Sequence, residues 1–330
     1  MNNYDFLAVG DIVVDAFIHI TDAEASCDLD QEHCKLTLRF GDKVPYDFYE
    51  NLYAVGNSPN ASVAASRLGL KSALHAVIGS DQNGKECLNS LTHDGVSTEI
   101  IETDPKLPTN YHFVLWYEPE RTILVKHYPY ERTFPKNIES VKWLYLSSLG
   151  EYKAMEYHME VLQWLGQHPE TNLVFQPGTF QMKAGVEAMK EIYQRTKLFF
   201  CNFEESQRIL KTEEKDIKKL LQEIANLGPK IVVITDGMKG AYCREENGDM
   251  WFMPTYPNKP YERTGAGDAF ASTFTSCLAL GMSVADALTW APINSMSVTN
   301  FIGAQKGLLT PDKIKEYLAK APADYKISKI

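Results

Sequence analysis

The chain has 330 residues, 44% of them hydrophobic, which is enough to bury a large core, and no repeat or low-complexity segment interrupts it. Its formal net charge of −10, carried by interspersed acidic and basic residues, argues against duplex nucleic acid or an anionic membrane as a partner for the whole surface. Met1-Asn2-Asn3-Tyr4-Asp5 shows no basic n-region ahead of an apolar stretch, and no apolar run is long enough to span a bilayer, so a cytoplasmic location is expected.

Phe6-Leu7-Ala8-Val9 is a short apolar run ending at Gly10-Asp11, the pattern of a buried parallel strand whose C-terminal end opens at a crevice. Ile12, Val13 and Val14 continue it to Asp15, a carboxylate that follows three apolar residues and is hard to read as solvated. Over residues 21–53 the pattern changes to alternation, as in Lys35-Leu36-Thr37-Leu38-Arg39-Phe40 ahead of Gly41-Asp42, which predicts antiparallel strand. A similar piece spans residues 110–125, where Tyr111, Phe113 and Leu115 alternate with His112, Val114 and Trp116. Together they predict a small sheet projecting from the main domain, serving as a lid, a dimer surface, or both. The aromatic side chains there are expected to pack the sheet, with stacking on a nucleobase as the alternative.

Between these pieces, Ser58 as N-cap, Pro59 at the first helical position and Gly69 as terminator predict a short helix carrying Ala61, Ala64, Ala65 and Leu68. Asn57 and Asn60 then stand at a strand-to-helix turn, either as local caps or as amides for a polyhydroxylated ligand. Residues 128–136, with two prolines and no hydrophobic period, predict no element. Beyond them strand and helix signals alternate. Trp143-Leu144-Tyr145-Leu146, Leu173-Val174-Phe175, Leu198-Phe199-Phe200 and Ile231-Val232-Val233-Ile234 read as core strands, and residues 212–227 as a helix capped by Thr212 and stopped by Gly228-Pro229. Asn202 and Glu205 lie three apart at a helix start, and Thr235, Gly237 and Gly240 belong to a tight turn after a strand; each taken alone reads as turn chemistry. The six cysteines form no Cys-x-x-Cys pair and are expected as buried, reduced thiols; Cys27, His33 and Cys34 match no standard zinc spacing.

Thr264-Gly265-Ala266-Gly267-Asp268 precedes the apolar positions Ala269, Phe270, Thr273, Phe274, Cys277 and Leu278, which recur at helical spacing. A helix beginning there points its first N–H groups, at the positive end of its dipole, toward any anion, and two glycines let the backbone approach closely. Asp268 falls in the first turn. The plainer alternative is an ordinary helix start capped by Thr264.

The order of these pieces resembles the PfkB family of carbohydrate kinases, which includes ribokinase, fructokinase and adenosine kinase, and the likeness covers nearly the whole chain. It implies an α/β fold with a doubly wound, mainly parallel sheet flanked by helices, residues 1–20, 54–108 and 129–330 forming the core and residues 21–53 and 109–128 a β lid. By the resemblance, Asp15, Gly56, Asn57 and Asn60 contact the substrate hydroxyls. Asn202 and Glu205 organise magnesium and the nucleotide phosphates, Glu205 through water, and Thr235, Gly237 and Gly240 form the nucleotide turn. Asp268 is the catalytic base, with the backbone of Gly265, Ala266 and Gly267 as anion hole. A helix starting near Ala285, with Ser283 and Asp286 as its cap, runs through Asn294 and Val298 and borders the adenine. The implied activity is ATP- and magnesium-dependent phosphorylation of a hydroxyl on a sugar or nucleoside, with a homodimer through the lid; the alternative is a non-catalytic sugar or nucleotide sensor of the same fold. Glu262 and Arg263 depart from the family's usual Asp two residues before the signature Thr, which predicts weak potassium dependence. Val55 replaces a frequent glycine and predicts a stiffer hinge, and Asn57 replaces a lysine of some ribokinases.

Overall fold

A run that is apolar at every position has to be covered on both faces, and residues 6–9, the second half of the strand Asn2–Val9, are covered in that way. Phe6 and Ala8 enter one apolar cluster with Leu74, Tyr145, Phe200 and Phe274, while Leu7 and Val9 enter another with Leu144, Phe175, Phe199 and Leu221. The computed structural model, which describes residues 2–26, 34–117 and 120–330, thus has helices packed on both sides of one large sheet.

Among the described residues nine strands form that sheet. Ser72–His75, Asn2–Val9, Ile138–Leu146, Asn172–Phe175, Thr196–Asn202 and Ile231–Thr235 run parallel in that spatial order. Ala241–Arg244, Met250–Met253 and Ser328–Lys329 extend it antiparallel. The four core strands read from apolar runs are neighbours in the sheet, and their C-terminal ends open on one side, where Gly10, Ser147, Asn202 and Thr235 stand.

A second, four-stranded sheet has the order Glu120–Leu124, Tyr111–Tyr117, Val13–Ile20, Tyr46–Val55. Its inner face carries Asp15, Phe17, His112, Val114 and Trp116, all buried, while Phe113 and Tyr49 on the outer face are exposed. Three expectations are corrected here. Residues 12–15 do not continue the first strand: the chain breaks at Gly10-Asp11, and Val13–Ile20 crosses into the small sheet, pairing with Tyr46–Val55 and Tyr111–Tyr117. The apolar residues Ile12, Val13 and Val14 read alike in either sheet, so the sequence could not show the change of sheet. Among the described residues, Lys35–Thr37 pairs only with Glu24–Ser26, in a separate two-stranded ribbon. Cys87, Cys201, Cys243 and Cys277 are buried free thiols, but Cys34 is exposed and disulfide-bonded; Cys27 and His33 lie outside the described residues.

Two helix starts also differ. Asn57–Arg67 begins at Gly56, not Ser58, and Gly56 has φ 118°, a conformation costly for any other residue. Ser58 instead hydrogen-bonds Ser147 across the strand ends at 2.6 Å. Val55 sits in regular strand opposite Val13, and the neighbouring Ala54 has a positive φ of 54°. The helix placed over residues 212–227 covers only Ile217–Asn226, capped by Asp216 through the Lys218 N–H. Thr212 and Glu214 stay in the preceding loop, where Thr212 Oγ1 accepts from the Glu214 N–H at 3.2 Å, a local turn that competes with helix.

Candidate active site

The helix Ala266–Ala279 is buried along most of its length and begins at the sheet's open end. Its N-cap is Gly265, with φ 79°, and no side chain caps it. Thr264 has another occupation: its N–H and hydroxyl donate to Glu262 Oε1 at 2.7 and 2.6 Å. The first-turn N–H groups of this helix are therefore left without a side-chain acceptor at the positive end of its dipole. A Cβ on Gly265 would lie 2.2 Å from that of Ala304, whereas one on Gly267 would meet nothing within 4 Å, so the backbone is tightly held at the first glycine and open at the second.

Asp268, in this first turn, is buried. Asn57 Nδ2 donates to its Oδ1 at 2.7 Å, Asn60 Nδ2 to its Oδ2 at 2.8 Å, and Gln176 Nε2 to Oδ1 at 3.3 Å. Both asparagines belong to Asn57–Arg67, so the predicted substrate contacts are also the clamp on the carboxylate. Behind them Gln305 Nε2 donates to Asn60 Oδ1 at 3.0 Å, and Tyr145 donates to Gln176 Oε1. Burial raises the Asp268 pKa, and the three amide hydrogen bonds, which favour the charged form, only partly offset it.

Glu262 is buried, and besides Thr264 it accepts from the Gly303 N–H at 3.3 Å and lies 3.5 Å from Arg121 Nη1 on the small sheet. The carboxylate thus fixes the loop leading into the helix, and a guanidinium accompanies it. Arg263 lies 3.7 Å from Glu120, and Trp116 packs its ring edge-on to Tyr261 at 5.3 Å, so the small sheet grips this loop at several points.

On the other side of Asp268, Asn202 and Glu205 form a reciprocal capping box on Phe203–Leu210, with bonds of 2.9 and 2.7 Å. Burial raises the Glu205 pKa against the opposing Asn202 N–H bond, and the Asp268 charge raises it further. Thr235 ends its strand, and Gly237–Lys239 forms a single 3₁₀ turn with Gly237 open to space. Asn294 lies in the interior of the helix Val284–Val298. It is fully buried, donates to Thr273 at 2.7 Å and accepts from the Leu309 N–H at 2.8 Å, so its amide is consumed in helix packing. The helix Val284–Val298 does carry the predicted Ser283–Asp286 box.

Several residues at the site gave no usable signal in the sequence. Part of the stretch 128–136, unplaced by pattern, folds against the first strand end together with His127. Asn110 ties them down by accepting from the Tyr128 N–H at 2.8 Å. Asp11 then takes Arg132 Nη2 at 2.7 Å and the Gly150 N–H at 2.6 Å, with His127 Nδ1 at 3.1 Å. Burial pushes Asp11 up, but the close His127 ring and the Arg132 charge outweigh it and hold the carboxyl below its ordinary range. Asp15 is the contrasting carboxylate: buried, with His112 Nδ1 3.4 Å away and no hydrogen-bond partner on Oδ1.

Residues 22–308 match the model of the pfkB family carbohydrate kinases. The chain belongs to the PfkB family. Among PfkB relatives, the ribokinase of Bacillus subtilis is 25% identical over 80% of this chain and 87% of its own, and the 5-dehydro-2-deoxygluconokinase of Clostridium tetani is 20% identical over 83% and 86%. Arabidopsis thaliana ribokinase, solved with ribose and ATP, superposes with a TM-score of 0.79 at 16% identity, covering 96% of this chain and 99% of that one, which establishes the ribokinase-like fold. The protein is a PfkB-type sugar or nucleoside kinase. No helix among the described residues is long and apolar enough to cross a membrane.

Proposed function

We propose that the chain transfers the γ-phosphoryl group of ATP to a hydroxyl of a sugar or nucleoside. The observation that carries this reading is Asp268: a buried carboxylate clamped through both oxygens by Asn57 and Asn60, in the first turn of a helix whose N-terminus has no side-chain cap.

Phosphoryl transfer has a loose transition state, so the protein's work is positioning and charge neutralisation. Asp268 orients the acceptor hydroxyl and takes its proton as the bond to phosphorus forms; its raised pKa makes it a better proton acceptor than an ordinary Asp. The backbone N–H groups of Gly265, Ala266 and Gly267 face the charge on the transferred group. Asp15, Gly56, Asn57 and Asn60 serve the acceptor, and Thr235, Gly237 and Gly240 flank the nucleotide. Magnesium, which keeps several waters and takes one or two carboxylates plus phosphate oxygens, fits a site where Glu205 and Asp268 are close enough to interact; it would be held by Glu205 through water and would screen the phosphate charge. The small sheet, resting on the 261–264 loop, acts as a lid over the acceptor, and its exposed outer face, with Tyr49, Phe113 and Leu124, supports a homodimer.

Acceptor-dependent ADP formation over a panel of ribose, fructose, 2-keto-3-deoxygluconate, adenosine, cytidine and inosine tests the reading. Asp268→Asn should remove turnover while leaving ATP affinity nearly intact. Acceptor binding without any turnover by the wild-type protein would instead identify a sensor.

A further inference from the structure

We infer, resting on the kinase reading above, that Gln305 is a positioning residue for the base: it fixes which way the Asn60 amide faces and so keeps a hydrogen-bond donor on Asp268. An amide presents an oxygen on one side and a nitrogen on the other, and the two are told apart by what each meets. The series of contacts starts at a group with no choice, because the Ala54 carbonyl accepts and cannot donate. Gln305 Nε2 lies 2.7 Å from it, so the nitrogen of that amide is the side turned inward. The same nitrogen lies 3.0 Å from Asn60 Oδ1, and its second hydrogen goes there. Asn60 thereby turns its oxygen to Gln305 and its nitrogen to Asp268 Oδ2, at 2.8 Å. Reversed, the Asn60 amide would set an oxygen against a buried carboxylate and leave that carboxylate short of a donor.

Gln305 is held where this requires. Ala54 is buried in left-handed backbone at φ 54°, and its N–H donates to Cys87 Sγ at 3.2 Å, so both of its backbone groups are tied down. The Gln305 carbonyl accepts from Arg67 Nη1 at 2.6 Å, and Arg67 is anchored on Asp94 Oδ1 by bonds of 2.7 and 2.9 Å. The two residues before Gln305 belong to the other half of the site. The Gly303 N–H donates to Glu262 Oε2 at 3.3 Å, and Ala304 stands against Gly265, where an added Cβ would lie 2.2 Å from its own. Residues 303–305 therefore join the loop behind the anion hole to the clamp on the base. From the small sheet, Glu50 pairs with Lys306 and Leu52 lies against Gly303, so the strand Tyr46–Val55 bears on the same segment.

The test measures ADP formation across pH together with the side-chain amide signals of Asn60 by proton–nitrogen NMR, assigned by their loss in Asn60→Ala. Gln305→Met fills the space without a donor, and kcat should fall by about 3- to 10-fold, the scale of one hydrogen bond between neutral groups, with the KM for ATP unchanged. Gln305→Glu keeps the shape but offers only acceptors. It draws the Asn60 nitrogen to itself, turns an oxygen on Asp268, and should cost about 10-fold more than Gln305→Met. A side chain that merely packs predicts the reverse order, since Glu matches Gln more closely in shape than Met does. In both variants the acid limb of the kcat/KM profile should move to higher pH, because the Asn60 bond favours the charged form of Asp268 against its burial. Gln305→Met should add little in the Asn60→Ala background, where the amide it orients is gone. The Asn60 amide signals should follow the Asp268 titration in the wild type and lose that dependence in both variants. The inference is overturned if Gln305→Glu is the milder change, if the loss from Gln305→Met persists in full in the Asn60→Ala background, or if the Asn60 signals in Gln305→Met match the wild type. Absence of ADP formation by the wild type with every acceptor would instead overturn the kinase reading, and the amide signals would still decide whether Gln305 orients Asn60.

Discussion

Asn60→Ala separates positioning of the base from binding of the acceptor. Asn60 is buried in a helix interior where Ala is well tolerated, and its Nδ2 is bonded to Asp268 Oδ2 at 2.8 Å. Its loss leaves Gln305 still bonded to the Ala54 carbonyl at 2.7 Å, so the second layer is not orphaned. A hydrogen bond to a charged group contributes about 1.5–3 kcal/mol, and if Asp268 loses that much orientation in the transition state, kcat should fall by about 10- to 100-fold. Losing the base itself, in Asp268→Asn, should cost about 10²–10⁴. The sign of the accompanying pH effect is fixed by the structure. The amide bond favours the charged carboxylate and burial opposes it, so without Asn60 the Asp268 carboxyl moves further up, and the acid limb of the kcat/KM profile moves to higher pH. Asn60→Ala in the Asp268→Asn background should add little, because the two residues act as a unit. Steady-state kinetics across pH are the assay. An unchanged kcat with a raised KM and an unmoved acid limb would refute the clamp and leave Asn60 as a substrate contact alone.

Gly265→Ala forces a Cβ into left-handed backbone at φ 79° and to 2.2 Å from Ala304, so kcat should fall by about 10²–10³, as for a lost anion-hole donor, with circular dichroism showing a retained fold. Arg132→Met strands the Asp11 carboxylate in the interior, and urea denaturation at pH 7 should show a loss of about 3–5 kcal/mol. Because the folded Asp11 pKa lies below its unfolded value, its stabilisation is present above the ordinary carboxylate range and lost as pH falls through the folded value, so the gap between variant and wild type should narrow on acidification; a constant gap refutes the charge argument. Arg121 supplies a cation at the buried Glu262, so replacing potassium by choline at constant ionic strength should leave the initial rate nearly unchanged, while Arg121→Ala should lower it; a strong potassium requirement in the wild type contradicts this assignment.

What the sequence made legible were features whose cause is local. Apolar runs identified the parallel strands because a strand covered on both faces tolerates nothing else, and Ser283-x-x-Asp286 identified a helix start because both halves of the box lie within four residues. Asp268 was legible by the company of Gly265 and Gly267, although its clamp partners lie more than 200 residues away. The same locality explains the failures. Arg132 sits in a proline-containing stretch whose conformation is set by Asn110 and Asp11, and a pair 121 residues apart leaves no periodic mark. Thr264 looks like an N-cap in sequence, yet it is taken by Glu262, two residues back, which is held from the far side by Gly303 and Arg121. That diversion matters for function. A helix start capped by its own threonine would have an acceptor already on its N–H groups; the residue that departs from the family pattern is the one that takes the threonine, and in the proposed reading this leaves those N–H groups to the transferred phosphoryl group.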